Sequence, residues 1–253
     1  MSDRNRELEG KVAIITGSAR NIGRATAEEL ARAGASVVIN AVTSEDLCKE
    51  VVAGIEKDGG KAIAVRADIT IQEDVDRMAA ETVEAFGGID ILVNNAAIRT
   101  SRTFTELTYD DWERLRDVAL DGAFRTSMAC VPHIIERGGG SVIGIHGMGS
   151  YAGAANGAHK SAVKNGMAGM IRGMARDLGE HNITCNIASV GAFETERTGG
   201  SGENQQRKEN LPPIGRKGNP MDMAYCVRFL VGPYARYISG QTIQLNGGLL
   251  MPQ

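Results

Sequence analysis

The stretch from Lys11 to Ala33, KVAIITGSARNIGRATAEELARA, places the tightest constraint on the fold of this chain. It opens with a short apolar run from Val12 to Ile15, which is typical of a buried strand. Small residues follow up to Gly23, and good helix formers then take over. A helix that begins behind a glycine turn presents free N–H groups and a positive dipole end to a phosphate. The order strand, glycine turn, helix therefore predicts a dinucleotide-binding turn.

Strand-like and helix-like segments alternate along the rest of the 253 residues, which favours one α/β domain with a covered parallel sheet. The further predicted strands are 36–40, 61–66, 89–93, 141–145, 182–188 and 241–245. The further predicted helices are 44–58, 71–86, 108–137 and 153–178. Residues 1–8 are expected to be a flexible N-terminus.

The composition argues against several classes of protein. A formal net charge of -3 gives no basic surface for nucleic acid. The first ten residues lack the apolar core of a signal peptide, and no later run is long enough to cross a membrane. The cysteines are far apart and form no CxxC pair, so we expect reduced thiols, no metal site and a cytoplasmic protein. They are Cys48, Cys130, Cys185 and Cys226.

Five motifs agree in order and spacing with one known family. They are TGSARNIG at 16–23, Asp68 after the third strand, NNAA at 94–97, PIGRKGNP at 213–220 and SGQTIQLNGG at 239–248. Together they resemble the short-chain dehydrogenase/reductase family, and the likeness runs from about residue 8 to 250. The resemblance implies a single-domain Rossmann fold with a seven-stranded parallel sheet and helices on both faces. It also implies bound NAD(H) or NADP(H) and a small-molecule substrate.

The same resemblance implies a set of cofactor-binding residues. They are Gly17, Ser18, Arg20, Asn21, Ile22, Gly23, Asn40, Asp68, Ile69, Asn95, Ala96, Ala97, Lys160, Val190, Gly191 and Thr195. Asn21 and Ala97 stand where the family usually has glycine, and asparagine tolerates left-handed backbone angles. An acidic residue after the second strand would favour NAD, but this chain has Asn40 there, and Arg20 could reach a 2′-phosphate. We therefore expect NADP(H) to be preferred over NAD(H).

The catalytic positions depart much further from the family. Its members typically use Asn, Ser, Tyr and Lys, with the Tyr and Lys four residues apart on one face of the long helix. Lys160 matches the lysine, and Asn156, which cannot exchange a proton near neutral pH, stands four residues earlier. Ala119 and Gly147 fall at the asparagine and serine positions. On this alignment the loop before the long helix is shorter than is common, by about four residues.

Tyr151 and His146 are the candidates for a replacement proton donor. A histidine with an ordinary pKa of about 6.5 can act as acid or base near neutral pH. Tyr151 lies in the loop and could bring its hydroxyl towards the nicotinamide. Alternatively, both are ordinary loop residues that bond to the backbone, and Lys160 only holds the nicotinamide ribose.

The expected function is an oxidoreductase that uses NADP(H) or NAD(H) on a small carbonyl or alcohol, with an unusual proton donor. Two other classes stay open. One is a protein that binds the nucleotide without turnover. The other is a non-redox lyase or hydrolase that reuses the same pocket.

Two segments carry further expectations. Residues 196–220 are rich in Gly, Pro and polar residues, so this segment is either a substrate lid or a plain surface insertion. Its position directly after Thr195 predicts a lid. Within 153–178, the glycines Gly166, Gly169 and Gly173 recur every three or four residues. Such spacing predicts close approach of a second backbone, in a homodimer or homotetramer, with packing inside one subunit as the alternative.

Overall fold

The computed structural model describes residues 6–98, 100–195 and 211–251, and these residues contain one seven-stranded parallel sheet. The strands are β1 (Val12–Ile15), β2 (Ser36–Ala41), β3 (Lys61–Arg66), β4 (Ile91–Asn94), β5 (Gly140–Gly147), β6 (Ile183–Val190) and β7 (Thr242–Leu245). Their order in the sheet is β3-β2-β1-β4-β5-β6-β7. This arrangement confirms the predicted Rossmann fold.

Helices cover both faces of the sheet. They are α1 (Asn21–Arg32), α2 (Glu45–Lys57), α3 (Gln72–Phe86), α4 (Tyr109–Arg116), α5 (Gly122–Glu136), α6 (Gly149–Ala152), α7 (Ala158–Asp177) and α8 (Pro220–Val231). One apolar core joins α1, α2 and α8 to the sheet through residues such as Leu30, Val51 and Val227. The other core lies beneath α3, α5 and α7 and includes Met78 and Ile171.

The strand order reverses between β1 and β4. The chain builds outward from β1 to β3 and then crosses to the other side of β1 for β4. In open α/β sheets, ligands bind in the crevice outside the carboxyl ends of the strands at such a reversal. The segments that follow β1, β4 and β5 therefore define the candidate site.

The long helix begins later than the sequence predicted. It starts at Ala158 and not at Gly153, because Gly153 and Asn156 have φ angles of 73° and 57°. Such angles lie in the left-handed region and cannot continue a right-handed helix. Asn156 is therefore outside α7, which corrects the expectation that it shares a helix face with Lys160.

The helix predicted over 108–137 is divided into two. A π-helical segment at Asp117–Asp121 separates α4 from α5. Ala119 lies in this segment, is buried, and packs with Val163 of α7. Single π-helical turns occur often at functional sites. This segment places Ala119, which stands at the family's asparagine position, against α7.

Parts of two segments expected to be mobile are held in place. The backbone N–H of Leu8 donates to Ala33 at 2.9 Å, and Glu7 forms an ion pair with Arg228 at 2.7 Å. These contacts anchor the last two residues of the segment that the sequence predicted to be flexible.

In the expected lid, Ile214 N–H bonds to the Gly247 oxygen at 3.2 Å. Residues 196–210 of that lid lie outside the described residues.

Three further findings concern sites and environment. Among the described helices, none has the length and apolar character needed to cross a bilayer. The described residues contain no group of three or more His, Cys, Asp or Glu able to hold a metal ion. All four cysteines are unpaired in this structure, and three of them are buried.

Candidate cofactor and active site

The turn after β1 is packed closely around its two glycines, Gly17 and Gly23. Gly17 has a φ of 64°, and a Cβ on Gly23 would lie 2.4 Å from the Gly17 carbonyl oxygen. Asn21, at the start of α1, also has a left-handed φ, of 49°. The backbone between β1 and α1 therefore forms a concave cradle that faces the N-terminus of α1. A phosphate group suits this shape and polarity.

Polar side chains from β2 and the turn itself support the cradle from below. Asn40 is buried, accepts a hydrogen bond from Gly17 N–H at 3.2 Å, and donates to the Ala67 oxygen at 3.0 Å. The Ser18 hydroxyl donates to the Ile15 oxygen at 2.7 Å and accepts from Asn40 N–H at 2.9 Å. Asn40 and Ser18 therefore position the turn. Their side chains are bonded within the protein and are not available to a ligand, contrary to the expectation that they bind the cofactor.

The segment after β4 closes the other side of the cradle. Asn95 donates from Nδ2 to the carbonyl oxygens of Thr16 and Gly17, at 2.8 and 3.1 Å. The Thr16 hydroxyl accepts from the N–H groups of Asn95 and Ala96, both at 3.0 Å. The Cα of Ala96 lies 3.1 Å from where a Gly17 Cβ would stand. Asn95 and Ala96 therefore flank the turn, and Ala97 beside them is exposed.

Asp68 follows β3 at the adjacent corner of the crevice. One of its carboxylate oxygens accepts from the N–H and the hydroxyl of Thr70, at 2.9 and 2.8 Å. Within the described part of the chain, its other oxygen makes no hydrogen bond. Such an oriented, half-satisfied carboxylate can accept from an amino group such as that of adenine. Ile69 beside it is buried.

Val190 is the last residue of β6, on the far side of the crevice, and Gly191 follows it. The Val190 oxygen accepts from Met148 N–H at 2.8 Å, and a Cβ on Gly191 would lie 2.5 Å from the Cα of Asn246. Gly191 therefore permits close contact between the ends of β6 and β7. Thr195 lies four residues beyond Gly191 and is half-buried.

The rings of His146 and Tyr151 contact each other, and the two residues do not form an accessible acid–base pair. His146 belongs to β5, where it pairs with Ser189, and its side chain is 2% exposed. Burial, together with the charge of Lys164, lowers the pKa of His146 to about 4. Tyr151 covers this ring at a centroid distance of 5.1 Å and donates its hydroxyl hydrogen to Thr242 at 3.0 Å.

The proton-donor role expected for these two residues is therefore not supported by their surroundings. A histidine with so low a pKa is neutral near pH 7 and carries no acidic proton there. The Tyr151 hydroxyl is bonded to Thr242 of β7.

The α7 helix brings together a pair that the sequence analysis did not select. Lys160 and Lys164 lie four residues apart within α7, so they share one face. Lys164 donates from Nζ to the Ile145 oxygen at 2.8 Å, and burial lowers the pKa of this amine to about 8. Asn156 is exposed, and its own backbone oxygen accepts from Arg102 N–H at 3.2 Å. The available signal was the second lysine in KSAVK, one turn after the first.

Comparison with known proteins gives the class of this protein. The family model described as Enoyl-(Acyl carrier protein) reductase matches residues 17–250. The 3-oxoacyl-[acyl-carrier-protein] reductase of Synechocystis is 35% identical over 247 residues, covering 96% of this chain and 98% of that protein. The L-rhamnose 1-dehydrogenase (NAD(P)(+)) of Sphingomonas is 33% identical over 246 residues, with coverage of 96% and 97%. The chain belongs to the short-chain dehydrogenase/reductase family of oxidoreductases.

Solved structures agree with this assignment. A short chain dehydrogenase from Burkholderia cenocepacia J2315, in complex with NADP, has a TM-score of 0.89 and 35% identity. The comparison covers 96% of this chain and 98% of that chain. A dehydrogenase/reductase from Sinorhizobium meliloti 1021 has a TM-score of 0.90 and 34% identity, covering 97% of both chains.

Proposed function

We propose that this chain is an NADP(H)-dependent oxidoreductase that interconverts a small carbonyl compound and its alcohol. The observation that carries the proposal is the cradle after β1, where a Cβ at Gly23 would lie 2.4 Å from the Gly17 oxygen. Nothing larger than glycine fits there, and the surrounding N–H groups suit a pyrophosphate. NADP bound to a relative with 35% identity adds support.

The residues proposed to hold the cofactor come from the turn and from the ends of the neighbouring strands. They are Gly17, Arg20, Asn21, Ile22, Gly23, Asp68, Ile69, Asn95, Ala96, Ala97, Val190, Gly191 and Thr195. When bound, the nicotinamide group supplies or accepts the hydride.

NADP(H) is preferred over NAD(H) because of Arg20. Its side chain is exposed at the N-cap position of α1 and makes no hydrogen bond or ion pair with the described residues. A free guanidinium beside the cradle can bind a 2′-phosphate in a bidentate manner. No acidic side chain occupies the end of β2 to favour a ribose 2′-hydroxyl, since Asn40 and Ala41 stand there.

The test is a fluorescence titration with NADPH and NADH. We expect NADPH to bind more tightly, and Arg20→Ala to weaken NADPH binding by about tenfold or more, the effect of one charge-assisted hydrogen bond. NADH binding should change little. The control is Arg114→Ala, because Arg114 is exposed on α4. Equal or tighter binding of NADH by the wild type would contradict the preference.

We propose an alignment with the family's catalytic residues that is shifted by four residues, towards the C-terminus, from the one that the sequence suggested. In the family, the tyrosine and lysine are one turn apart on the long helix, and Lys160 and Lys164 are such a pair in α7. With this shift, the loop before the long helix is no longer about four residues shorter than is common in the family. We therefore assign Lys164 to the lysine position and Lys160 to the tyrosine position, with Ala119 and Gly147 unchanged at the other two.

A nucleotide-binding protein without turnover is the second candidate. Ala119 and Gly147 favour it, because neither can donate a proton or a hydrogen bond from its side chain. A panel of acetoacetyl-coenzyme A, ethyl acetoacetate, diacetyl and L-rhamnose with both cofactors separates the two. Tight NADPH binding with no absorbance change on any of them would favour the second candidate.

Assembly and location complete the proposal. We propose a cytoplasmic homodimer or homotetramer formed through the surface of α7. Gly169 and Gly173 support it, because a Cβ at either position would meet no atom of the described chain within 4 Å. By contrast, Gly166 packs against Leu120 of its own subunit. Phe124, on α5, adds an exposed apolar side chain to the same side of the sheet.

A further inference from the structure

Two amines, those of Lys160 and Lys164, lie one turn apart on α7, and they differ in their surroundings. Lys164 is tied to the Ile145 oxygen at 2.8 Å. Lys160 is half-buried, and its Cε lies 3.1 Å from where a Cβ on Gly157 would stand. Its stem therefore packs against the loop that connects β5 to α7. That loop is joined to the segment after β4 by the bond from Arg102 N–H to the Asn156 oxygen.

The Lys160 ammonium lacks a protein partner. It makes no hydrogen bond and no ion pair with any residue that the structure describes. An ammonium that is partly removed from water gains from an oxygen placed beside it. Lys164, one turn further along the same helix face, is bonded to the oxygen of Ile145, two residues before Gly147 at the end of β5. A Cβ on Gly147 would meet nothing within 4 Å. The unpaired amine therefore lies one helical turn from the lysine that contacts the end of β5.

The other candidates for a proton donor are excluded by their contacts. His146 is buried and neutral near pH 7, and the Tyr151 hydroxyl is bonded to Thr242. Asn156 is outside the helix, and an amide releases no proton in this range. Lys164 is bonded to the Ile145 oxygen and is assigned to the lysine position of the family, so it does not stand in for the tyrosine. Lys160 is therefore the remaining ionisable group of this set whose side chain has no partner among the described residues.

Lysine has suitable chemistry for this task. The ordinary pKa values of lysine and tyrosine side chains are about 10.4 and about 10, so the two groups are acids of similar strength. They differ in charge, because the lysine is cationic before it gives up its proton. That charge also stabilises the negative oxygen that develops on a carbonyl during reduction.

We infer that Lys160 is the proton donor of the reductive reaction and replaces the tyrosine of the family. The inference rests on the proposed function. Hydride adds to the carbonyl carbon, the carbonyl π electrons move to oxygen, and that oxygen takes a proton from Lys160 Nζ. The neutral amine then regains a proton from solvent. In the direction of alcohol oxidation, the neutral amine accepts the hydroxyl proton.

Three substitutions at one position test this inference. Lys160→Met removes both charge and proton, Lys160→Arg keeps the charge but releases no proton in the accessible range, and Lys160→Tyr keeps an acid of similar strength. We expect the Met and Arg variants to lose about 10²–10⁴-fold in kcat, the usual contribution of a positioned acid. The Tyr variant should keep at least about a tenth of the wild-type kcat. Lys57→Met, on the exposed surface of α2, is the control.

Readouts other than rate separate a proton donor from a structural residue. NADPH affinity and KM should stay within about threefold of wild type in all three variants, since the lost interaction belongs to the transition state. The pH dependence of kcat that arises from this lysine should disappear in the Arg variant. Wild-type rates in Lys160→Arg would show that charge alone suffices and would overturn the inference. Wild-type rates in Lys160→Met would overturn it as well.

The failure of this inference differs from the failure of the proposed function. A wild type that binds NADPH but reduces none of acetoacetyl-coenzyme A, ethyl acetoacetate and diacetyl contradicts the proposed function and leaves no donor role for Lys160. A wild type that reduces one of them, with Lys160→Met equally active, contradicts the inference alone.

Discussion

Lys164 donates a hydrogen bond from its Nζ to the main-chain oxygen of Ile145 at 2.8 Å, which ties α7 to β5 beside the crevice. Burial of this amine lowers its pKa to about 8. The folded chain therefore maintains, against β5, a lysine that gives up its proton far more easily than a lysine in water.

Loss of this bond should weaken both the fold and the cofactor site. In Lys164→Met the Ile145 oxygen loses its donor, which costs about 1–3 kcal/mol of unfolding free energy. We expect NADPH to bind at least about tenfold more weakly, because the amine is assigned to the lysine position of the family. Urea unfolding and fluorescence titration measure the two effects. Lys164→Arg, which keeps a donor, should recover more of the stability than of the affinity.

The sequence predicted the sheet and the cradle well because both depend on local pattern. Buried β-branched runs define the strands, and Gly17 and Gly23 have no alternative at their positions. The catalytic register was harder to predict, since it depends on where α7 begins. That start is decided by the positive φ angles of Gly153 and Asn156, and asparagine adopts such an angle only in some contexts.

The burial of His146 could not be read from the sequence either. A histidine just after an apolar run suggests an exposed loop residue. The structure extends β5 to Gly147, pairs His146 with Ser189 and covers it with Tyr151. These contacts come from distant parts of the chain, and they change a candidate acid into a neutral core residue.

Gly23→Ala tests the cradle directly. The added Cβ would lie 2.4 Å from the Gly17 oxygen, so the turn must move. We expect a loss of about 1–3 kcal/mol in stability and a loss of NADPH binding that exceeds what this destabilisation explains. The control is Gly54→Ala in α2, where a Cβ meets nothing within 4 Å and alanine should stabilise the helix by up to about 1 kcal/mol. Unchanged NADPH affinity in Gly23→Ala would contradict the cradle assignment.

His146 should make the stability of the protein depend on pH in a defined window. Its folded-state pKa is lowered from 6.5 to about 4, so the unfolded chain binds this proton first as pH falls. Stability is therefore complete above about pH 6.5 and is lost between about pH 6.5 and 4, by an amount on the order of 3 kcal/mol.

Urea unfolding of wild type and His146→Gln across that window measures this contribution. The stability of the variant relative to wild type should rise as pH falls, because glutamine takes up no proton. Tyr151→Phe is the control, since it removes the bond to Thr242 but keeps the ring over His146. Parallel pH curves for wild type and His146→Gln would show that the histidine is not buried in its neutral form.

Gly169 and Gly173 should be required for assembly and not for the fold of one subunit. A Cβ at either position meets no described atom within 4 Å, so a leucine fits the isolated subunit and improves its helix propensity by up to about 1 kcal/mol. In an oligomer packed through α7, the same leucine would hold the two backbones apart. We expect Gly169→Leu and Gly173→Leu to keep wild-type circular dichroism but to sediment as smaller species than wild type. Gly54→Leu, on α2, introduces the same side chain at another open helical glycine and should leave the sedimentation coefficient unchanged. A wild type that sediments as a monomer, or leucine variants that keep its assembly state, would count against an interface at these glycines.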